Sequence, residues 1–85
     1  MTWKDVTSYQ RGAKKEPNAW ECWADWLRIT VHRMHGLDGW FLSARYLIDQ
    51  RSIPYADLEK SKTWALGAVK GRLESALNAL RKEAT

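Results

Sequence analysis

The feature that most constrains this chain is an apolar stripe at helical spacing in its last third. From Asp57 onward, apolar residues recur every three or four positions, as on one face of an α-helix. Asp57 suits the N-cap, and Arg81 and Lys82 suit the negative end of the helix dipole. The sequence therefore predicts one helix over 57–83, whose apolar side must be covered by other residues. The stripe consists of Leu58, Ala65, Leu66, Val69, Leu73, Ala76, Leu77 and Leu80.

The stretch WECWADWLRITVHRMHG at 20–36 has two interpretations. As a helix, it would begin at a capping box formed by Asn18 and Glu21, and the chain would be an all-α three-helix bundle. As strands, it alternates apolar and polar residues over 27–32 and contains the β-branched run Ile-Thr-Val. Local patterning favours strands only slightly.

Several segments resemble small uncharacterised proteins of proteobacterial phages and prophages. They are WKDVTSYQRG at 3–12, AWEC at 19–22, LRITVHRMH at 27–35, GWFLSA at 39–44 and LIDQRSI at 47–53. The resemblance covers most of the chain, although the C-terminal helix is similar only in character and the hairpin WECWADW is longer here. The resemblance implies β-hairpins followed by one helix, and it implies a phage or prophage origin. It gives no information about function.

Together, pattern and resemblance predict an α+β fold in a single domain, 1–85. An antiparallel sheet of three to five strands occupies 1–56, and one long helix packs on one of its faces. A turn is expected at Ala24 and Asp25, and Gly36 and Gly39 bracket the next loop. Alternation along the strands then separates two rows of side chains. The row facing the helix consists of Trp20, Cys22, Leu27, Ile29, Val31, Trp40, Leu42 and Ala44.

A sheet and one helix leave a thin core, and six tryptophans are available to fill it. Because each indole buries a large area, the tryptophans are expected to supply most of the filling. Leu73, midway along the stripe, is expected to contact Ile29 or Val31.

The predicted helix is longer than the strands beneath it. About 27 residues of helix span roughly 40 Å, whereas strands of about six residues span roughly 20 Å. The last turns therefore need a second cover. A homodimer through the C-terminal helix is the simplest one, and the N-terminal segment with Trp3 and Val6 is the alternative.

The outward row of the sheet mixes cations with aromatic rings and gives the predicted binding site, Trp23, Arg28, His32, Phe41 and Arg45. Such a surface is typical of protein interfaces and also of nucleic-acid platforms; the ordinary alternative is a solvated face on which arginine stems lie over rings. A host or phage protein is the favoured partner, with DNA or RNA as the alternative, because a net charge of +4 is only mildly basic. The whole outward row is Glu21, Trp23, Arg28, Thr30, His32, Phe41, Ser43 and Arg45.

A secondary basic cluster, Arg11, Lys14 and Lys15, lies in a polar, turn-rich stretch. Clusters of this kind usually belong to a solvated loop. Contact of this cluster with phosphate is the less favoured interpretation.

The sequence contains no recognisable catalytic, metal or cofactor motif. Cys22 and His32 would face opposite sides of the sheet, which separates a nucleophile from its base. Adding His35 and Asp38 still gives no firm zinc ligand set. We therefore predict a non-catalytic accessory, regulatory or host-inhibiting protein without metal or cofactor.

The cysteine count and the distribution of apolar residues predict the cellular location. One cysteine fits a reducing compartment. The first fifteen residues lack the apolar run of a signal peptide, and no apolar segment approaches the roughly 20 residues that cross a bilayer. We expect the cytoplasm of a bacterial host and no membrane partner.

Overall fold

The computed structural model describes residues 2–7 and 16–84, which form a five-stranded antiparallel sheet and one helix. The elements are β1 (Lys4–Asp5), β2 (Ala19–Ala24), β3 (Leu27–His32), β4 (Trp40–Ala44), β5 (Ile48–Ile53) and α1 (Leu58–Ala84). The strands lie side by side in chain order. The predicted α+β fold is confirmed, and the three-helix alternative is wrong.

The ambiguous stretch at 20–36 forms the hairpin of β2 and β3, so its β-branched run is in a strand. The chain reverses at Asp25 and Trp26, and Asp25 has a left-handed φ of 58°. Aspartate tolerates that region better than most side chains do. The predicted turn was one residue early, because Ala24 still pairs with Leu27 at the end of the ladder.

Two further reversals complete the sheet. Gly36 and Gly39, with φ of 78° and 88°, bracket the β3–β4 loop as predicted. The β4–β5 turn contains Tyr46 at a φ of 68°, and the β4–β5 pairing shifts register between Leu42 and Ala44.

The core is aliphatic at its centre and aromatic at its rim. Trp40 is the one buried indole of the six, all of which lie in the described ranges. Trp3, Trp20 and Trp64 are partly buried and pack around the centre. The expected indole-filled core is therefore wrong, because aliphatic side chains of the inward row already close against the helix. The buried apolar residues are Cys22, Leu27, Ile29, Val31, Trp40, Leu42, Ala44, Ile48, Ile53, Ala65 and Val69.

The first half of α1 is tied firmly to the sheet. Asp57 caps the helix, since its Oδ2 accepts a hydrogen bond from the Lys60 N–H at 2.8 Å. Lys62 is buried, and its Nζ lies 4.2 Å from the ring centre of Trp20 and 5.8 Å from that of Trp3. This contact places the N-terminal segment beside the first half of the helix, so it does not cover the last turns as the alternative required.

The second half of α1 projects beyond the sheet, and we call residues 70–84 the overhang. Every described side chain over 70–83 is exposed. Leu73 is 39% exposed and is not the core residue that was expected, because α1 leaves the edge of the sheet there. The described residues contain no helix long and apolar enough to cross a membrane.

Candidate functional site

The helix lies on one face of the sheet, and the opposite face, which we call the open face, is turned to solvent. Trp23 pairs with Arg28 across β2 and β3, and His32 pairs with Phe41 across β3 and β4. Trp23 is 56% exposed. Four of the five predicted site residues therefore share one surface. The open face consists of Glu21, Trp23, Arg28, Thr30, His32, Phe41 and Ser43.

Arg45 lies apart from these four residues. β4 ends at Ala44, and Arg45 begins the turn to β5. Its guanidinium lies 5.0 Å from the ring centre of the exposed Tyr46. Arg45 therefore belongs to the β4–β5 turn and not to the strand on which alternation had placed it. The secondary basic cluster of Arg11, Lys14 and Lys15 lies outside the described residues.

Glu21 organises one end of the open face. Its Oε2 lies 2.5 Å from Nε of Arg28, and its Oε1 accepts a hydrogen bond from the Trp23 indole N–H at 3.3 Å. The hydrogen bond from Arg28 lowers the pKa of the Glu21 carboxyl, although partial burial opposes this. One carboxylate thus holds both a cation and an aromatic ring in place.

Sequence reasoning put Glu21 on this face but did not pair it with Arg28. The contact is diagonal: Glu21 is opposite Thr30, and Arg28 is opposite the neighbouring outward residue, Trp23. Diagonal neighbours can be assigned only once the hairpin register is known. A turn placed one residue away would have given different neighbours.

His32 forms the other end of the open face. Its Nε2 lies 3.0 Å from Oγ of Ser43, and its Nδ1 lies 3.3 Å from the Arg33 carbonyl oxygen. A neutral ring protonated on Nδ1 satisfies both contacts, because it then donates to the carbonyl and accepts from the hydroxyl. The ring centre is 6.3 Å from that of Phe41. Ser43 was not among the predicted site residues, and it fixes the orientation of the imidazole.

A serine next to a histidine is also the contact of a nucleophile with its base. Here the far nitrogen faces a backbone carbonyl and not a carboxylate. The Ser43–His32 contact orders this end of the open face.

Cys22 lies on the helix side of the sheet, opposite Ile29, while His32 lies on the open face. Burial raises the pKa of the Cys22 thiol. No three His, Cys, Asp or Glu side chains within 2–7 and 16–84 lie close enough together to hold a metal ion.

Comparison with known proteins gave no matching family model, no matching curated protein and no matching solved structure. The basis for a function is therefore the geometry of the chain itself.

Proposed function

We propose that the chain is a non-catalytic binding protein that docks a partner protein on its open face. The observation that supports this most directly is an exposed Trp23 held in place beside Arg28 on a face the helix leaves uncovered. Tryptophan and arginine are the commonest anchors of protein interfaces. A tryptophan that is already ordered loses little conformational freedom on binding.

The ion pair of Glu21 and Arg28 favours a protein partner over nucleic acid. Nucleic-acid affinity comes largely from cations that neutralise phosphate. Arg28 already has a carboxylate at 2.5 Å, which a phosphate would have to displace. With Arg45 in the turn, the open face offers little positive charge. A protein interface needs no such excess, since its core is depleted in charge and its rim is polar.

The biological setting we propose is a phage or prophage protein in the bacterial cytoplasm. There the chain would act as an accessory, regulator or inhibitor by contact with a host or phage protein. This setting rests on the sequence resemblance alone. Its test is the genomic neighbourhood, which should contain other phage genes.

The binding proposal is tested by capture followed by titration. Partners are captured from bacterial lysate with and without nuclease, identified, purified and titrated against the chain. Trp23→Ala should weaken binding roughly thirtyfold, as expected for an interface anchor. Trp26→Ala is the matched control, because Trp26 is 66% exposed but lies in the turn. It should change affinity less than about threefold.

Two results would count against a protein partner on the open face. One is capture abolished by nuclease, together with binding to generic duplex DNA that falls steeply with salt. In that case Arg28→Ala and Arg45→Ala should each lower the salt slope by about one. The other is unchanged binding of the purified partner by a Trp23/Arg28/Phe41 triple alanine variant.

A further inference from the structure

The apolar side of α1 continues past the sheet as an exposed stripe. Leu77 and Leu80 are 46% and 67% exposed. At the base of the overhang, a groove of about 360 Å³ opens between α1 and the end of the β2–β3 hairpin. Apolar surface that runs on from a groove in this way marks an interaction site. The apolar side chains of the groove are Ala24, Ile29, Leu66, Val69, Leu73 and Leu77.

We propose that a second copy of the chain covers this surface, in an antiparallel two-fold pair. In this pair the overhang of each protomer lies in the groove of the other. The surface can complement itself because the groove and the overhang lie on the same side of α1 and share Leu73 and Leu77. A two-fold axis near Leu73 brings Leu80 of each helix to the partner's groove.

The area available suffices for a small interface. The overhang is roughly 22 Å long and 10–12 Å wide, so covering half of it buries roughly 400 Å² on each protomer. The groove residues outside the overhang, Ala24, Ile29, Leu66 and Val69, add to this area. Each protomer then buries at least about half of the roughly 800 Å² of a standard interface.

Charge favours the antiparallel arrangement. Lys70 and Glu74 border the groove on one flank of the stripe, with Nζ and Oε1 3.9 Å apart. In an antiparallel two-fold pair, that flank faces the same flank running the other way, so Lys70 lies across from the partner's Glu74. In a parallel two-fold pair, that flank would instead face the other flank of the partner helix, and the pairing of Lys70 with the partner's Glu74 would be lost. Antiparallel packing also opposes the two helix dipoles.

The described N-terminal residues lie away from the groove. Thr7 bonds to Asn18 and Ala19, at the end of β2 farthest from Ala24. The sequence at 8–15, SYQRGAKK, is polar and basic. Trp3 is held beside Lys62. A second copy supplies the leucines that these segments lack.

The mass of the full chain in solution tests the pair. Sedimentation equilibrium over a range of concentrations should give twice the 9.9 kDa of one chain. Leu80→Asp should raise the dissociation constant roughly a hundredfold, because both copies lose a buried leucine. Leu37→Asp is the control: Leu37 is 55% exposed in the β3–β4 loop, and its variant should remain a dimer. A monomeric wild type up to about 1 mM, or a dimeric Leu80→Asp, would overturn the proposal.

A charge exchange tests the orientation and does not depend on a leucine. Lys70→Glu and Glu74→Lys should each weaken self-association, because each variant places like charges across the interface. Mixing the two variants should restore dimers, since the glutamate introduced in one chain then faces the lysine introduced in the other. The ion pair within one helix cannot produce this rescue. A mixture that stays as monomeric as its components would overturn the antiparallel arrangement.

Discussion

At the scale of single residues, Glu21 decides the character of the open face. Without it, Arg28 would be a solvated cation and Trp23 would lack the partner of its indole N–H. With Glu21 present, Arg28 and Trp23, the two proposed interface anchors, both donate to its carboxylate. The Glu21 carboxylate fixes the orientations of Arg28 and Trp23, and it balances the charge of Arg28.

The Glu21 contact predicts a specific pH dependence of stability. Arg28 lowers the pKa of Glu21 in the folded chain. The contact therefore stabilises the fold above the unfolded pKa of about 4.3, and this stability is lost as pH falls through the lower, folded pKa. Glu21→Gln should flatten the acid side of the stability curve. The change should be small, because Arg28 is 47% exposed and solvent screens the pair.

Urea unfolding midpoints at low salt, measured between neutral pH and pH values below about 4, check this prediction. Glu16→Gln is the control, because Glu16 is an exposed glutamate. The prediction is wrong if the control flattens the curve as much as Glu21→Gln does.

At the scale of elements, the same substitution should have opposite effects in a loop and in the helix. Apart from the adjacent residues and the helix's own backbone, no atom lies within 4 Å of where a Cβ would stand at Gly39 or at Gly67, so space does not distinguish them. Their backbone conformations do distinguish them, because Gly39 has a left-handed φ of 88° and Gly67 is helical. Gly39→Ala should cost about 1 kcal/mol, and Gly67→Ala should stabilise the fold by about 0.5–1 kcal/mol.

Denaturant unfolding of the two single variants measures both changes in the free energy of unfolding, which should have opposite signs. Gly71→Ala, one turn further along the exposed side of α1, should behave like Gly67→Ala. A destabilised Gly67→Ala would contradict the prediction.

The elements were predicted unequally well from sequence. The helix was predicted to within one residue at each end, because its cap and its stripe are local signals that agree. The hairpin at 20–36 was not decided by pattern, since Trp20, Leu27 and Val31 would share a face of a helix as well as of a sheet. There the tertiary pairing of β3 with β2 and β4 is what selects strand.

At the scale of the whole molecule, Cys22 reports on opening of the sheet–helix interface. It is 1% exposed, and burial raises the pKa of its thiol. Since thiolate is the reactive form, a disulfide reagent should label it in the folded chain at least about a hundredfold more slowly than in urea. The absorbance of the thiol that the reagent releases follows the reaction. Fast labelling of the native chain would show that α1 separates readily from the sheet.

The inward row of the sheet could be predicted from alternation, but the reach of the helix across it could not. Ile29, Val31 and Leu42 are buried as expected. Leu73 shares their pattern and is exposed, because burial also depends on where α1 crosses the edge of the sheet. That crossing follows from the connection at 54–57 and from the contacts of Lys62, which no local pattern encodes.

The helix and the open face lie on opposite sides of one thin sheet, and this has a consequence for avidity. A pair joined through the overhangs leaves both open faces available and pointing away from the shared helices. For a partner that is itself a repeated array or a symmetric assembly, the second contact becomes intramolecular. Apparent affinity can then exceed that of a single contact by roughly 10²–10⁴ without any new side chain at the interface. Leu80, far from the open face, would thus control how tightly Trp23 appears to bind.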